Sequence, residues 1–502
     1  MAIRHWLNHL VIVLILVSGH LSSSLARSET PSLKMKLAAQ WQLYKKAQEL
    51  LLEQVDKKYI PINQRAITRD QWEKTLALNG GFAFTQQDLI DLRRDQALRI
   101  KTARTQARDA SIIDLDIVRS QQKTSQFCKK VPKGGMLHIH PFGTLDRQTA
   151  DTLLHSLNPA IDLTQVFFDI DSSGGNISLL PQERSFLERI PLNAKFLSLS
   201  IADQGVFSSF MFLPKGRQTF SRFNGVFEFL GFAIPDWTNF EKVLFSFAQR
   251  AIDQGVIYVE FTTGTSAELF SRLGLLEKLT GLTIRTNYSF NRTADLATLD
   301  LALSQLLAAP KSPYLVGIDF LDNEETNPAF EKGQLLYGSL LKAVLSKKSD
   351  LHRTMHAGEL GDSRNPRDAM LMEAERLGHG VNLMKDPVAL EYATLIRQPI
   401  EVNLSSNLRL TDVESISKHP FLDFLRLGLP VSLSTDDEGI FEIDINHECE
   451  LAIAETDISY AEVKQMAFNS IQTSFASAAD KKTLLEKLTL KFDDFERNNP
   501  SW

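Results

Sequence analysis

The stretch GMLHIH at residues 135–140 is the basis of the fold prediction, because it is a short, nearly continuous apolar run that ends in two histidines. Seven comparable runs follow, with helix-forming stretches between them. Buried parallel strands have this apolar character, and eight alternations of strand and helix favour an α/β fold, the (β/α)8 TIM barrel. The later runs are VIYVEF at 256–261, TIRTNYSF at 283–290, LVGIDF at 315–320, LHRTMHA at 351–357, LGHGVNL at 377–383, PIEVNL at 399–404 and LPVSLST at 429–435. An open doubly wound sheet is the alternative, but no glycine-rich phosphate loop follows the first run.

A long segment separates the first run from the second. Residues 141–255 are too many for one helix, so we expect an insertion there. Its phenylalanine-rich stretches at 207–212 and 220–232 are typical of a hydrophobic core, although they are also placed to cover the mouth of the barrel. The sequence DSSGGN at 171–176 predicts a turn within the insertion.

The region before the barrel divides into two parts. Residues 1–26 resemble an export signal: Arg4 and His5 precede an apolar run at 10–17, and a small-residue cleavage site ends at Ala26. The run is too short to span a bilayer, which takes roughly 20 apolar residues, and no cysteine follows it to carry a lipid anchor. We therefore expect a secreted or periplasmic protein without a stable membrane anchor, the alternative being an interfacial or buried N-terminal helix.

Residues 27–130 predict a helical extension, with apolar side chains at helical spacing at Leu37, Trp41 and Tyr44 and a break at Asn79-Gly-Gly. Residues 131–502 then form the barrel. Two cysteines, Cys128 and Cys449, allow one disulfide; nothing in the sequence shows that they meet, and buried free thiols are the alternative.

Composition narrows the function classes. The chain has 502 residues, 61 acidic and 55 basic side chains, a net charge of −6 and 43% hydrophobic residues, which is ordinary for a globular protein and excludes a disordered or collagen-like one. No basic stripe or Lys/Arg block dominates any segment, so we expect a small-molecule partner and not a nucleic acid.

Histidines and one aspartate fall at the ends of the predicted strands. His138 and His140 end the first run, His356 ends the fifth, His379 lies in the sixth and Asp436 follows the eighth. The C-terminal strand ends of a TIM barrel form its active-site face, and alternate residues of a strand point to the same side. Three histidines and a carboxylate form a set suited to zinc with an open position for water.

Proton transfer is predicted beside this set. Zinc lowers the pKa of its water toward neutrality, and Glu359, three residues after His356, is close enough to move protons there. His155, His352, His419 and His447 are assigned no chemistry. Glu260, Asn287 and Ser289 either face the barrel mouth or make structural hydrogen bonds.

Four blocks of this sequence resemble the signature blocks of the adenosine deaminase family in the amidohydrolase superfamily. They are GGMLHIHPFG at 134–143, HAGE at 356–359, RLGHG at 376–380 and STDD at 434–437. EVNLSSN at 401–407 and LVGID at 315–319 match further segments. The export signal, the helical extension, the insertion, Lys418-His419-Pro420 and Asn469-Ser470-Ile471 are more similar to the secreted branch, the adenosine deaminase-related growth factors.

The resemblance implies a role for each matching residue. His138, His140, His356 and Asp436 would bind one zinc ion per subunit. Glu359 would share a proton with N1 of the purine, and His379 would stabilise the attacking hydroxide. Asp437 would hydrogen-bond N7. The implied reaction converts adenosine or 2′-deoxyadenosine to inosine with release of ammonia. The fourth run lacks the lysine that bridges two metals in related hydrolases, which favours one metal.

Three departures leave the substrate open. Pro141-Phe142-Gly143 stands where the family has Leu-Asp-Gly, whose aspartate contacts the ribose. Leu321-Asp322-Asn323-Glu324 stands where the family has Ala-Gly-Asp-Glu, so that the backbone NH of Asp322 would contact the base. Glu438 replaces a proline. Adenine or another 6-aminopurine is therefore an alternative substrate, and a signalling or binding protein on a deaminase scaffold is the alternative from another class. The resemblance also implies that the helical extension supports a homodimer.

Overall fold

The computed structural model describes residues 32–56, 68–69, 71, 73–74, 83–161, 179–191, 193–233, 237–327 and 329–499. The predicted export signal, the Asn79-Gly-Gly break and the turn at 171–176 lie outside the described residues. The structure therefore does not test these three predictions.

Eight parallel strands lie side by side in chain order. They are β1 (Gly134–Ile139), β2 (Val256–Thr263), β3 (Thr283–Asn291), β4 (Leu315–Leu321), β5 (His352–Ala357), β6 (Arg376–His379), β7 (Ile400–Val402) and β8 (Val431–Leu433). Backbone hydrogen bonds from Asp436 N to His138 O (3.2 Å) and from His140 N to Asp436 O (3.3 Å) join the end of β8 to β1. The predicted TIM barrel is confirmed, and each predicted run overlaps one strand.

Helices surround the strands. The extension contains α1 (Leu33–Asp56), α2 (Gln86–Asp109), α3 (Leu115–Ser120) and α4 (Thr124–Lys130). The insertion between β1 and β2 contains α5 (Arg147–Leu157), α6 (Pro181–Arg189), α7 (Ile201–Ser209), α8 (Phe220–Ala233) and α9 (Trp237–Asp253). The rest of the chain contains α10 (Ala267–Thr280), α11 (Leu296–Ala308), α12 (Ala329–Leu345), α13 (Arg364–Leu371), α14 (Pro387–Ile396), α15 (Leu404–Leu410), α16 (Phe421–Arg426), α17 (Glu438–Phe441), α18 (Ile445–Glu455), α19 (Tyr460–Gln472) and α20 (Ala478–Asn498).

Local sequence explains where typical helices begin and end. The Ser266 side chain accepts a hydrogen bond from the Leu269 amide at the start of α10, and Gly281 ends that helix with φ of 72°. The Asp386 side chain caps α14, and Pro387 occupies its first turn, where proline's missing N–H leaves no hydrogen bond unmade.

Both additions to the barrel share its hydrophobic core. Leu43, Leu115 and Phe127 of the extension pack in one buried cluster with residues of β4 to β8. Phe207 and Phe229 of the insertion pack in a second cluster with residues of β1 to β3. Phe207 and Phe229 therefore form core, which is the role that the sequence favours for these stretches.

Cys128 on α4 and Cys449 on α18 form a disulfide, with their Cα atoms 5.8 Å apart. Both residues are buried. The structure thus decides between the alternatives that the sequence left open, and free thiols are wrong. The bridge ties the end of the extension to a helix that follows β8.

Glu260 and Asn287 have structural roles. Glu260 accepts hydrogen bonds from Tyr258 Oη (2.7 Å) and Asn287 Nδ2 (3.0 Å), and its Oε2 lies 2.6 Å from Arg376 Nη2. Neither residue lines the cavity at the barrel mouth, and Ser289 does not line it either. Among the described residues, none of the helices combines the length and apolar character needed to cross a bilayer.

Candidate active site

Four side chains from three strand ends converge at the C-terminal mouth of the barrel. His138 and His140 extend from β1, His356 from β5, and Asp436 follows β8. His140 Nε2 lies 3.3 Å from both His356 Nε2 and Asp436 Oδ1, and His138 Nε2 lies 3.6 Å from Asp436 Oδ1. The structure therefore brings together all four residues predicted to bind the metal.

Hydrogen bonds from outside the cluster determine which imidazole nitrogens face it. His138 Nδ1 lies 2.8 Å from Glu401 Oε2, and His356 Nδ1 lies 3.0 Å from Asp319 Oδ1. An ionised carboxylate only accepts hydrogen bonds, so both Nδ1 atoms carry the proton and both Nε2 atoms present lone pairs. This carboxylate–imidazole pairing is typical of metal ligands.

These lone pairs fit a metal ion. His138 Nε2 is buried and has no hydrogen-bond partner among the described residues. Ligand atoms about 2.0 Å from a tetrahedral zinc ion lie about 3.3 Å apart, which agrees with the separations measured from His140. Converging lone pairs beside a carboxylate are suited to binding a cation, and a divalent ion of the size of zinc suits three imidazoles and one carboxylate.

Glu359 lies beside the cluster and is 5% exposed. Its Oε2 is 3.8 Å from His379 Nε2. Burial, followed by the negative charge of Asp436, raises the pKa of Glu359 well above its ordinary value. A carboxyl group with a raised pKa in an apolar setting can donate a proton or a hydrogen bond near neutral pH.

The loop that carries Glu359 is held through its backbone. The Glu324 carboxylate accepts hydrogen bonds from the amides of Gly358 and Glu359, both at 2.9 Å. Asn365 Nδ2 donates to the same carboxylate at 2.9 Å, and Asn365 Oδ1 accepts from Arg69 Nη2 at 2.9 Å. A residue of the N-terminal extension thus reaches the Glu359 loop through two buried side chains.

His379 ends β6 in the left-handed region, with φ of 62°. Its Nε2 is 4.0 Å from Asp436 Oδ2, so the ring faces the cluster. Burial, followed by the neighbouring histidines, lowers the pKa of His379 well below its ordinary value. The imidazole is therefore neutral at working pH.

Asp437 lies behind the site. Both of its carboxylate oxygens are buried without a hydrogen-bond partner among the described residues, and burial and Asp436 raise its pKa. Asp437 is near Asp436 but does not line the cavity. A Cβ on Gly143 would lie 1.8 Å from Asp437 Oδ1, so only glycine fits there.

A cavity of about 280 Å³ lies in front of the cluster. Asp322 lines it, as predicted, and has φ of 91° and a side-chain hydrogen bond from Asn291 (2.7 Å). Phe142 does not line it: its ring stacks on Phe240 with the centroids 4.4 Å apart. Glu438 pairs with Arg250 at 2.9 Å and also lies outside the cavity.

Helix α8 supplies one wall of the cavity, which is the alternative role that the sequence left open for residues 220–232, although the individual lining residues were not predicted. Phe220, Phe223, Asn224 and Phe227 line the cavity from one face of this helix. Asn224 Nδ2 is buried and has no hydrogen-bond partner among the described residues. Phe223, Asn224 and Phe227 follow Phe220 by three, four and seven residues, a spacing that indicates one helix face in the sequence. The amide of Asn224 among the aromatic rings distinguishes this face from a purely apolar core face.

Comparison with known proteins identifies the family. A family model described as adenosine deaminase matches residues 210–491, which is more than half of the chain and includes His356, Glu359, His379 and Asp436. An adenosine deaminase of Photorhabdus laumondii is 36% identical over 153 residues, covering 30% of this chain and 46% of that protein. The chain thus spans about half the length of the curated relatives it matches.

Solved structures share the fold. An adenine deaminase from Arthrobacter aurescens aligns with a TM-score of 0.56 at 22% identity, over 72% of this chain and all of that one. An amidohydrolase with bound Zn from Burkholderia ambifaria aligns with a TM-score of 0.54 at 17% identity, over 74% of this chain and 94% of that one. At these identities the likeness concerns the fold alone.

Proposed function

The chain belongs to the adenosine deaminase family, and from that premise we propose that it is a zinc-dependent hydrolytic deaminase that converts adenosine or 2′-deoxyadenosine to the inosine product. Water adds to C6 of the purine, the bond from C6 to the amino nitrogen breaks, and ammonia leaves. The observation that carries the proposal is the buried Glu359 carboxyl beside the cluster of His138, His140, His356 and Asp436.

The metal site defines the chemistry available. Zinc held by these four residues would supply hydroxide near neutral pH by lowering the pKa of bound water. Asp319 and Glu401 keep the His356 and His138 lone pairs directed at the ion. No lysine lies in β4, which supports one metal per chain.

Glu359 transfers protons to and from the substrate. Because its pKa is raised, the carboxyl group is protonated and donates to N1 of the purine, which withdraws electrons from C6. The Glu359 carboxylate that remains accepts the two protons that the attacking water loses, passes one to the departing amino group, so that ammonia leaves, and keeps the other. His379 donates to the oxygen that attacks C6. The contact of Asp437 with N7 stays a prediction, because Asp437 does not line the cavity.

The insertion helix α8 contributes the substrate wall. Phe223 and Phe227 offer flat apolar faces to a purine, and Asn224 and Asp322 offer polar groups. Adenine or another 6-aminopurine remains the second candidate substrate, because Phe142 turns away from the cavity and provides no hydrogen bond to a ribose. A loss of such a bond weakens the preference for a nucleoside.

Export is also part of the proposal. The buried disulfide between Cys128 and Cys449 supports a secreted or periplasmic location, since disulfides persist in oxidising compartments. Together with the segment at 1–26, the extension and the insertion, it supports the proposal that the chain is similar to the secreted growth-factor branch of the family.

We further infer a homodimer formed through the extension. Ile90 and Leu98 on α2 and Ile112 after it are 50%, 63% and 68% exposed, and a stable interface would cover such side chains. Sedimentation velocity should give a dimer, and a monomer at all concentrations would refute this assignment.

Ammonia release tests the function. The zinc-loaded protein would be offered adenosine, 2′-deoxyadenosine, adenine and AMP, with Glu359→Gln as the matched isosteric variant. We expect release from the nucleosides and a fall of about a thousandfold in Glu359→Gln. Release from adenine alone would replace the substrate and keep the chemistry. Nucleoside binding without release in the wild-type protein would favour the binding-protein alternative.

A further inference from the structure

A chain of hydrogen bonds runs from a backbone amide to the ring of His379. The Phe421 amide donates to His419 Nδ1 at 3.2 Å. His419 Nε2 lies 2.9 Å from Asn407 Oδ1, and Asn407 Nδ2 lies 2.9 Å from His379 Nδ1. Sequence reasoning assigned His419 no chemistry, yet it is two hydrogen bonds away from the catalytic histidine.

The first member of this chain fixes the direction of all the others. A backbone N–H can only donate, so His419 Nδ1 accepts and carries no proton. A neutral imidazole then has its proton on Nε2, which must donate to Asn407 Oδ1. The amide orientation of Asn407 follows, and its Nδ2 must donate to His379 Nδ1. His379 Nδ1 is therefore the acceptor, and its proton is on Nε2.

The surroundings of these hydrogen-bonded side chains keep each donor and acceptor as assigned. His419 is 5% exposed, and Asn407 and His379 are fully buried or nearly so. Burial lowers the pKa of His419 to about 3, so the ring stays neutral at working pH. Asn403 Nδ2 lies 3.5 Å from the same His379 Nδ1, which places a second amide on the acceptor side of that ring.

His379 Nε2 points the other way, toward the site. It lies 3.8 Å from Glu359 Oε2 and 4.0 Å from Asp436 Oδ2, and it is buried without a hydrogen-bond partner among the described residues. An Nε2–H directed at this point can donate to an oxygen that carries developing negative charge.

We propose that His419 and Asn407 are positioning residues that hold His379 in the tautomer with its proton on Nε2, aimed at the reacting atoms. The catalytic consequence rests on the proposed deaminase function. In this tautomer His379 stabilises the attacking oxygen by donation and does not remove its proton. The wrong tautomer of a catalytic histidine can cost several powers of ten in rate.

The substitution Asn407→Asp is the sharpest test, because it keeps the size of the side chain and removes its only donor. His419 can still donate to one carboxylate oxygen, while the other accepts a hydrogen bond from His379 Nδ1–H, which reverses the tautomer of His379. We expect kcat to fall about a hundredfold or more, with KM for adenosine nearly unchanged.

A second pair of variants covers the case in which Asn407→Asp does not fold. His419→Phe removes the donor that orients the Asn407 amide, and kcat should fall about tenfold. His419→Gln keeps a donor toward Asn407 and should restore most of that activity. A merely structural role for His419 would move thermal stability without this split between kcat and KM.

A spectroscopic measurement separates this proposal from the proposed function. Nitrogen-15 NMR of histidine-labelled, zinc-loaded protein, with His379→Gln to assign the ring, should show His379 protonated at Nε2 in the wild type. In Asn407→Asp it should be protonated at Nδ1. A wild-type His379 protonated at Nδ1, or full kcat in Asn407→Asp, overturns the proposal. An inactive wild type would refute the deaminase function, and the spectrum would still decide the tautomer.

Discussion

Individual carboxylates determine how the histidines of the mouth can act. Asp319 receives hydrogen bonds from His356 Nδ1 at 3.0 Å and from Thr262 Oγ1 at 2.9 Å, and it lies beneath the metal cluster. Glu401 plays the same part for His138. Neither residue touches the cavity, so their contribution is to direct lone pairs and not to contact a substrate.

Replacing Asp319 should therefore weaken metal binding more than it affects folding. In Asp319→Asn the amide still fills the space but no longer fixes the His356 tautomer. We expect zinc affinity to fall about 10-fold to 100-fold, measured by competition with a chromophoric chelator. An unchanged affinity would mean that His356 is oriented by other contacts.

The burial of His419 predicts how the stability of the protein depends on pH. Its pKa falls from 6.5 to about 3 on folding because the ring is buried. The unfolded chain binds the proton first, so the stabilisation present at neutral pH is lost progressively as the pH falls from the unfolded value toward the folded one. Protonation of His419 alone should lower the free energy of unfolding by about 2 kcal/mol between about pH 7 and pH 5.

Urea unfolding of the wild type and of His419→Gln at both pH values measures that difference. Glutamine does not titrate, so the variant should lose less stability over the same interval. Equal losses in the two proteins would show that His419 is not the group responsible.

At the scale of elements, the loop after β5 is the part most closely tied to the chemistry. Glu324 holds the backbone amides of Gly358 and Glu359, and α13 presents Asn365 to Glu324. Arg69 of the extension donates to both Asn365 and the buried Asp368, the latter at 2.7 Å. The position of Glu359 thus depends on a residue far away in the sequence.

Arg69→Met should lower kcat about tenfold without a matching rise in KM, since small displacements of a catalytic group slow the chemical step. Arg99→Met is the matched control: Arg99 also joins the extension to a barrel carboxylate, Glu391, but no hydrogen bond connects that pair to Glu324 within the described residues. Equal effects of the two variants on kcat would mean that the extension acts only through overall stability.

The sequence predicts some elements well and others poorly, for physical reasons. The strands were predictable because buried parallel strands are apolar and short, and the metal ligands were predictable because strand ends share one face. The cavity-lining residues of α8 were not, since its many phenylalanines favoured a core role and left a role at the barrel mouth only as the alternative. His419 and Arg69 were beyond prediction, because their partners lie in other elements and only the folded chain brings them together.

At the scale of the whole molecule, the barrel and its additions form one unit. The extension and the insertion each enter a core cluster of the barrel, and the disulfide joins residues separated by 321 positions in the chain. Spacing could not predict that pairing, because two distant cysteines carry no information on whether they meet.

Removing the disulfide should reduce stability and spare catalysis. In the double variant Cys128→Ala and Cys449→Ala, the unfolded chain gains conformational entropy, and we expect a loss of about 4 kcal/mol in the free energy of unfolding. Denaturant unfolding measures that loss. At temperatures where both proteins are folded, kcat should stay near the wild-type value, and a large fall would assign the bridge a role in shaping the mouth.

The most direct test of the account is ammonia release from adenosine, measured while metal-free protein is titrated with zinc. A single site formed by His138, His140, His356 and Asp436 predicts that the rate rises in proportion to added zinc and levels off at one ion per chain. Full activity without metal, or a plateau that requires a second ion, would contradict the one-metal hydrolytic site.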